Sequence, residues 1–386
     1  MKETKMNILV LGNSGAGKST LIEAIVGVKK NTRPGEGDTS KIEVSESSIW
    51  PLRCIDTKGF EYSIIEQIKT IRQVKKYTKT QIGQSDNDSR EKGIDTVWYC
   101  VEGTARRVFS DNVEMMNKAI KGWKNVPVFA VITKSFSQVE EEENIEAVVQ
   151  AFAKNKSVNL QKIIPVVAKP YPVNNDVIVQ PKGIEELCNA TLECADYAKQ
   201  INKENRDRMV LEQKRFTANA MVTGATASAV LVGAVPLSFA DSLLLVPLEA
   251  GMTKAIFRIY GVEFSSDLVS AIVGSALITN VAKAALAQLK TIPNIAASAI
   301  NAVVAGLFVG ALGEAVIAVS ENIYRGNLDP TKIDDVVNFI SDKIKNNPII
   351  GAAISYLETN ADKFKGKDVK TVLNKVQKAV AKAAEA

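Results

Sequence analysis

Residues Gly12-Asn13-Ser14-Gly15-Ala16-Gly17-Lys18-Ser19 read GNSGAGKS and stand between NILVL, a strand-like aliphatic run, and TLIEAIVGV, which has helical spacing. Strand, glycine loop and helix in that order gather backbone amides at a helix N-terminus, where unpaired N–H groups and the dipole favour an anion. The glycines let the backbone close around phosphate oxygens, and Lys18 supplies a point charge for the β- and γ-phosphates. The Ser19 hydroxyl is of the type that coordinates Mg²⁺, and Thr20 joins these residues in the expected nucleotide-binding set.

Downstream, Asp56-Thr57-Lys58-Gly59 closes the apolar run Trp50–Ile55 and has the form DxxG. Asp56 is expected to hold Mg²⁺ through water, and the Gly59 amide to meet the γ-phosphate. Between the two motifs, RPGEGDT at Arg33–Thr39 reads as a switch segment in which Thr39 closes on Mg²⁺ and the γ-phosphate, with Ser40 as the competing hydroxyl.

Composition narrows the chemistry further. The 386 residues contain no histidine, which removes Ser/His/Asp and Cys/His catalysis and most zinc sites. Phosphates, carboxylates and Mg²⁺ remain. Cys54, Cys100, Cys188 and Cys194 show no CxxC spacing and read as reduced core residues of a cytosolic protein. The opening MKETKMNILVLG has too short an apolar run for a secretory signal or transit peptide, so a cytoplasmic location is expected. The net charge of +5 comes without a basic run interleaved with aromatics, and no nucleic-acid partner is expected.

The length suggests two or three domains. Strand candidates Asn7–Leu11, Arg53–Asp56, Thr96–Val101, Val128–Thr133 and Ile163–Val167 alternate with amphipathic stretches, the pattern of a mostly parallel sheet covered by helices. We therefore expect an α/β nucleotide-binding domain over residues 1–197 and a charged connecting helix over 198–216. An apolar all-α domain over 217–328 and a helical tail over 329–386 follow. In the tail, Val369, Val372, Leu373, Val376 and Val380 share one helical face. Within the apolar domain, IAASAINAVVAGLFVGALG reaches bilayer-spanning length and carries Gly306 and Gly310 in a small-xxx-small pattern. Two readings stand: a buried helix of a soluble bundle, or membrane association through residues 217–323.

The ordered set Gly12–Ser19, Thr39 and Asp56–Gly59, followed by Val97-Trp98-Tyr99-Cys100 and Thr133-Lys134-Ser135, resembles bacterial Era-like P-loop GTPases of the translation-factor-related class. With PLSFADSLLLVPLEAGMTKAIFRIYGVEF it is similar to the subfamily carrying a C-terminal helical domain of formerly unknown function. The resemblance covers residues 6–325. It implies GTP as substrate, GDP as product and Mg²⁺ as cofactor; a homodimer through the G domain and a membrane surface are the further partners expected. It also implies that Thr133, Lys134 and Ser135 meet the base, with Ala168-Lys169 supplying a backbone amide to it. The functional expectation is a GTPase that switches its helical module. The alternative is a dynamin-like membrane or assembly protein that uses nucleotide mainly to oligomerise.

Two departures from that family's pattern matter. Where it has Asn-Lys-x-Asp, this chain has Thr133-Lys134-Ser135-Phe136, so no carboxylate stands at the guanine-reading position and selectivity over ATP is expected to fall. Phe60 follows Gly59 where many relatives have a water-orienting Gln, so slow turnover is expected, with Glu61, Arg33, Arg106 and Arg107 as compensating candidates.

Overall fold

The computed structural model describes residues 5–27, 42–57, 94–104, 113–114, 116–117, 126–154, 157–172, 178–194, 203–234, 245–275, 280, 283–284, 287–291 and 295–384. They form two compact units, Met1–Gln213 and Lys214–Ala386.

In the first unit, β1 (Met6–Gly12), β2 (Ile42–Glu46), β3 (Leu52–Thr57), β4 (Thr96–Glu102), β5 (Val128–Thr133) and β6 (Leu160–Pro165) make one sheet. The order is β2-β3-β1-β4-β5-β6, parallel throughout except for β2, which runs antiparallel to β3 at the edge. Every residue of β1 is buried, as a central parallel strand covered on both faces requires. Its side chains alternate: Met6, Ile8 and Val10 enter one core, Leu9 and Leu11 the other. On the first face lie α1 (Lys18–Val26), through Leu21 and Ile25, and α3 (Ile184–Cys194), through Leu187, Cys188 and Leu192, whereas Cys194, expected in the core, is exposed at the end of α3. On the second lies α2 (Gln138–Ala153), through Val148, Ala151 and Phe152. A two-stranded hairpin, β7 (Tyr171–Pro172) with β8 (Ile178–Val179), follows the sixth strand.

The helix α4 (Lys203–Gly233) extends well past residue 216, and the unit boundary falls within it. Its first part is anchored in the first unit. Met209 joins that unit's core, and the wholly buried Gln213 accepts from Trp50 Nε1 at 2.9 Å and donates to the Ala24 carbonyl at 3.0 Å.

The second unit comprises the rest of α4, then α5 (Val246–Tyr260), α6 (Ser266–Val273), α7 (Ala297–Tyr324), α8 (Ile333–Lys345), α9 (Pro348–Thr359) and α10 (Val369–Ala384). The most apolar window of α7 is 78% buried, the position of a core helix. Its glycines serve close packing. A Cβ on Gly306 would lie 2.7 Å from a Val230 methyl, and one on Gly313 would lie 2.5 Å from a Val222 methyl. Glu321 is buried near the end of α7 and is held by a two-pronged pair with Arg215 (2.7 and 2.5 Å) and by the Tyr260 hydroxyl at 3.1 Å.

Candidate functional site

β1 ends at Gly12, where a Cβ would fall 2.5 Å from the Cys100 carbonyl oxygen, so only glycine lets the loop leave the sheet at this point. The loop ends at Gly17, in the left-handed region with φ 76°, and no side chain caps α1. The first-turn amides at Lys18, Ser19 and Thr20 therefore face a site with the geometry for an anion.

Lys18 is 7% exposed, and its Nζ donates to the carbonyls of Gly12 and Asn13 at 3.0 and 2.9 Å. Burial lowers its pKa, while the charge of Asp56 and the Cys100 thiol oppose that shift. Burial pushes the Cys100 thiol up to about 12, so it is an inert neighbour of the loop.

The Ser19 hydroxyl donates to Asp56 Oδ2 at 3.3 Å. Parallel pairing brings them together, because Asp56 on β3 is in register with Val10, two residues before the end of β1. A hydroxyl and a carboxylate oxygen are hard ligands that fit Mg²⁺. Among the described residues no group of three His, Cys, Asp or Glu side chains forms a metal cage. A pair of oxygens suits an ion that keeps several waters and takes further ligands from phosphates.

Beyond the loop lies a cavity of about 380 Å³ that gathers Gly17, Thr20, Thr133, Lys134, Ala168 and Lys169. The Thr133 hydroxyl lies 2.7 Å from the Ala16 carbonyl and 3.1 Å from that of Val101, tying the end of β5 to the loop. Lys134 adopts φ 53° and pairs with Glu102 at 2.5 Å. Burial alone would raise the Glu102 carboxyl, but hydrogen bonds from Lys134 and Thr104 outweigh it and hold the pKa down. Lys169 pairs with Glu23 on α1 at 2.7 Å. Ser135 is turned into the protein, where its buried hydroxyl donates to Glu141 at 2.7 Å and Lys182 pairs with the same carboxylate.

The structure adds wall residues that sequence reasoning missed: Thr104, Pro170 and Tyr171. Tyr171 stacks on Phe136 with ring centroids 3.8 Å apart and planes 8° from parallel. An aromatic beside the Ala168-Lys169 turn was the available signal. Thr39, Ser40, Gly59, Phe60, Glu61, Arg33, Arg106 and Arg107 lie outside the described residues, as does the apolar helical face of Ile64, Ile65, Ile68, Ile71 and Val74.

Residues 7–134 match the family model described as 50S ribosome-binding GTPase, and residues 197–346 match that of a domain of unknown function, DUF697. The first unit has the P-loop GTPase fold. Among solved structures the chain is similar to the translation elongation factor SelB of Methanococcus maripaludis with a GTP analogue. The identity is 19%, over 44% of this chain and 31% of that one, with a TM-score of 0.30. This chain thus spans less than a third of the elongation factor's length. The septin GTPase domain of Chlamydomonas reinhardtii is similar at 15% identity, over 53% of this chain and 96% of that one, with a TM-score of 0.35. No curated protein matches the chain.

Proposed function

We propose that this chain hydrolyses GTP to GDP with Mg²⁺ and uses the nucleotide state to switch its C-terminal helical unit. The observation that carries the reading is the convergence of Ser19 and Asp56 at 3.3 Å beside a glycine loop with a buried lysine. In this reading residues Gly12–Thr20 cradle the phosphates, Lys18 offsets β/γ-phosphate charge, and Ser19, Asp56 and Thr39 hold the metal, directly or through water. Bound Mg²⁺ neutralises charge that develops on the phosphate oxygens. The Gly59 amide senses the γ-phosphate, Glu61 helps orient the attacking water, and Phe60 keeps turnover slow. Lys134 lays its aliphatic stem along the base.

Switching of the helical unit is supported by α4, whose beginning is fixed in the GTPase unit by Met209 and Gln213 and which continues into the helical one. Phosphate release from purified chain, measured with Mg²⁺ and with EDTA, tests the enzyme. Slow release that stops in EDTA is expected; release that ignores EDTA would contradict it. For the switch, hydrogen exchange over Val246–Tyr324 should differ between GDP and a non-hydrolysable GTP analogue. Equal protection would point the signal to another chain, such as a second G domain.

One observation favours the membrane-associating alternative. A window of α4 without an excess of charge has mean hydropathy 1.3 yet is only 22% buried, and Leu231 in it is 73% exposed. Sedimentation with vesicles under GTP, GDP and no nucleotide separates the readings, since nucleotide-dependent pelleting with negligible turnover belongs to the alternative alone.

A further inference from the structure

Aromatic surface able to hold a base lines the cavity beside the loop, and among the described residues no carboxylate that could read guanine lines it. Guanine differs from adenine by presenting N1–H and a 2-amino group as donors on one edge. A site that selects it strongly must fix an acceptor there, because only then does the wrong base leave a buried group unpaired. Among the described residues the carboxylates near this cavity are otherwise engaged. Glu102 accepts from Lys134 and Thr104, Glu141 from Ser135 and Lys182, and Glu23 from Lys169. None of the three lines the cavity. Two residues after Lys134 the wall is instead Phe136, stacked at 3.8 Å on Tyr171 of the hairpin, and both rings face the cavity. Aromatic faces and edges hold any base, since every base has a π-face.

We propose that the Phe136–Tyr171 pair is the base-holding element, and that it accepts nucleoside triphosphates by stacking while leaving the guanine 2-amino group unread. Hypoxanthine, which is guanine without that amino group, then binds as guanine does, and adenine is admitted. Tyr171 acts by fixing the Phe136 ring and extending the apolar wall. The proposal rests on the nucleotide-binding reading above.

The test is displacement of labelled GTP from the full chain by GTP, ITP, ATP and inorganic triphosphate. In the wild-type chain GTP and ITP should compete within about threefold of each other and ATP within about a hundredfold, far short of the about ten-thousand-fold of a site with a dedicated polar reader. Phe136→Asp should make GTP at least about tenfold better than ITP, by creating the missing acceptor. Tyr171→Ala should weaken all three nucleotides by about tenfold while inorganic triphosphate competes as before. A wild-type preference for GTP over ITP beyond about thirtyfold would overturn the proposal without any variant being needed. Absence of nucleotide binding in the wild-type chain would overturn the GTPase reading with it, so the two failures are distinct.

Discussion

The Ser19 hydroxyl reaches the Asp56 carboxylate at 3.3 Å although 37 residues separate them in the chain. The sheet makes the meeting obligatory. β1 delivers the loop and the first turn of α1, and its parallel neighbour β3 delivers Asp56 at the level of Val10. If these oxygens share a metal ion, Ser19→Ala should leave the fold intact and remove the Mg²⁺ dependence of GTP binding. Affinity titrations in Mg²⁺ and in EDTA should differ by about tenfold or more for the wild type and agree for the variant. A variant that keeps the full Mg²⁺ effect would take Ser19 out of the metal site.

In the helical unit, Gly313 is expected to be the least tolerant glycine of α7. A Cβ there would sit 2.5 and 2.6 Å from the Val222 methyls and 3.1 Å from the Met252 sulfur. Overpacking of this kind costs about 1–3 kcal/mol, so Gly313→Val should lower the unfolding midpoint by several degrees. A Cβ on Gly251 of α5 would meet nothing within 4 Å, and Gly251→Ala should be neutral or stabilising by about 0.5–1 kcal/mol. Urea or thermal unfolding of both variants decides it.

Glu249, in the first turn of α5, has its pKa pushed up to about 7 by burial, against an ordinary value of 4.5. The folded chain therefore holds a proton that the unfolded chain loses between those values. Its contribution to stability is complete below pH 4.5 and is lost as pH rises through 7, by about 1–3 kcal/mol. Urea unfolding at several pH values should show that decline in the wild type and a shallower one in Glu249→Gln. Identical slopes would mean that the carboxyl is ionised in the folded unit.

The parts of this fold that were legible in the sequence are those in which local pattern and tertiary burial agree. β1 is apolar at nearly every position because both faces are covered, and GNSGAGKS follows it without interruption. β2, with the sequence IEVSE, is half polar because it is an antiparallel edge strand, and it left little to read. β6 begins at Leu160, three residues before the apolar run, because exposed Gln161 and Lys162 extend it at the other edge. The Phe136–Tyr171 stack joins the end of β5 to a hairpin strand of two residues, and no local signal announces such a pairing. The two apolar helices show the same limit from the other side. α7 has hydropathy 2.2 and is 78% buried in its window, whereas α4 has hydropathy 1.3 and is 22% buried, a contrast set by which neighbours cover each helix.

The proposed GTPase activity requires that the glycine loop and Lys18 hold a nucleotide's phosphates. Lys18 lies 3.0 Å from the Gly12 carbonyl and 2.9 Å from that of Asn13, so its ammonium is already fixed at the loop by the chain itself. The most direct measurement is equilibrium binding of labelled GTP, in Mg²⁺, to the wild-type chain and to Lys18→Ala, with circular dichroism to show that both are folded. Saturable binding by the wild type and a loss of at least about a hundredfold in the variant are expected, since a charge-assisted phosphate contact is removed while the loop glycines stay. Binding by folded Lys18→Ala at near wild-type affinity would contradict it.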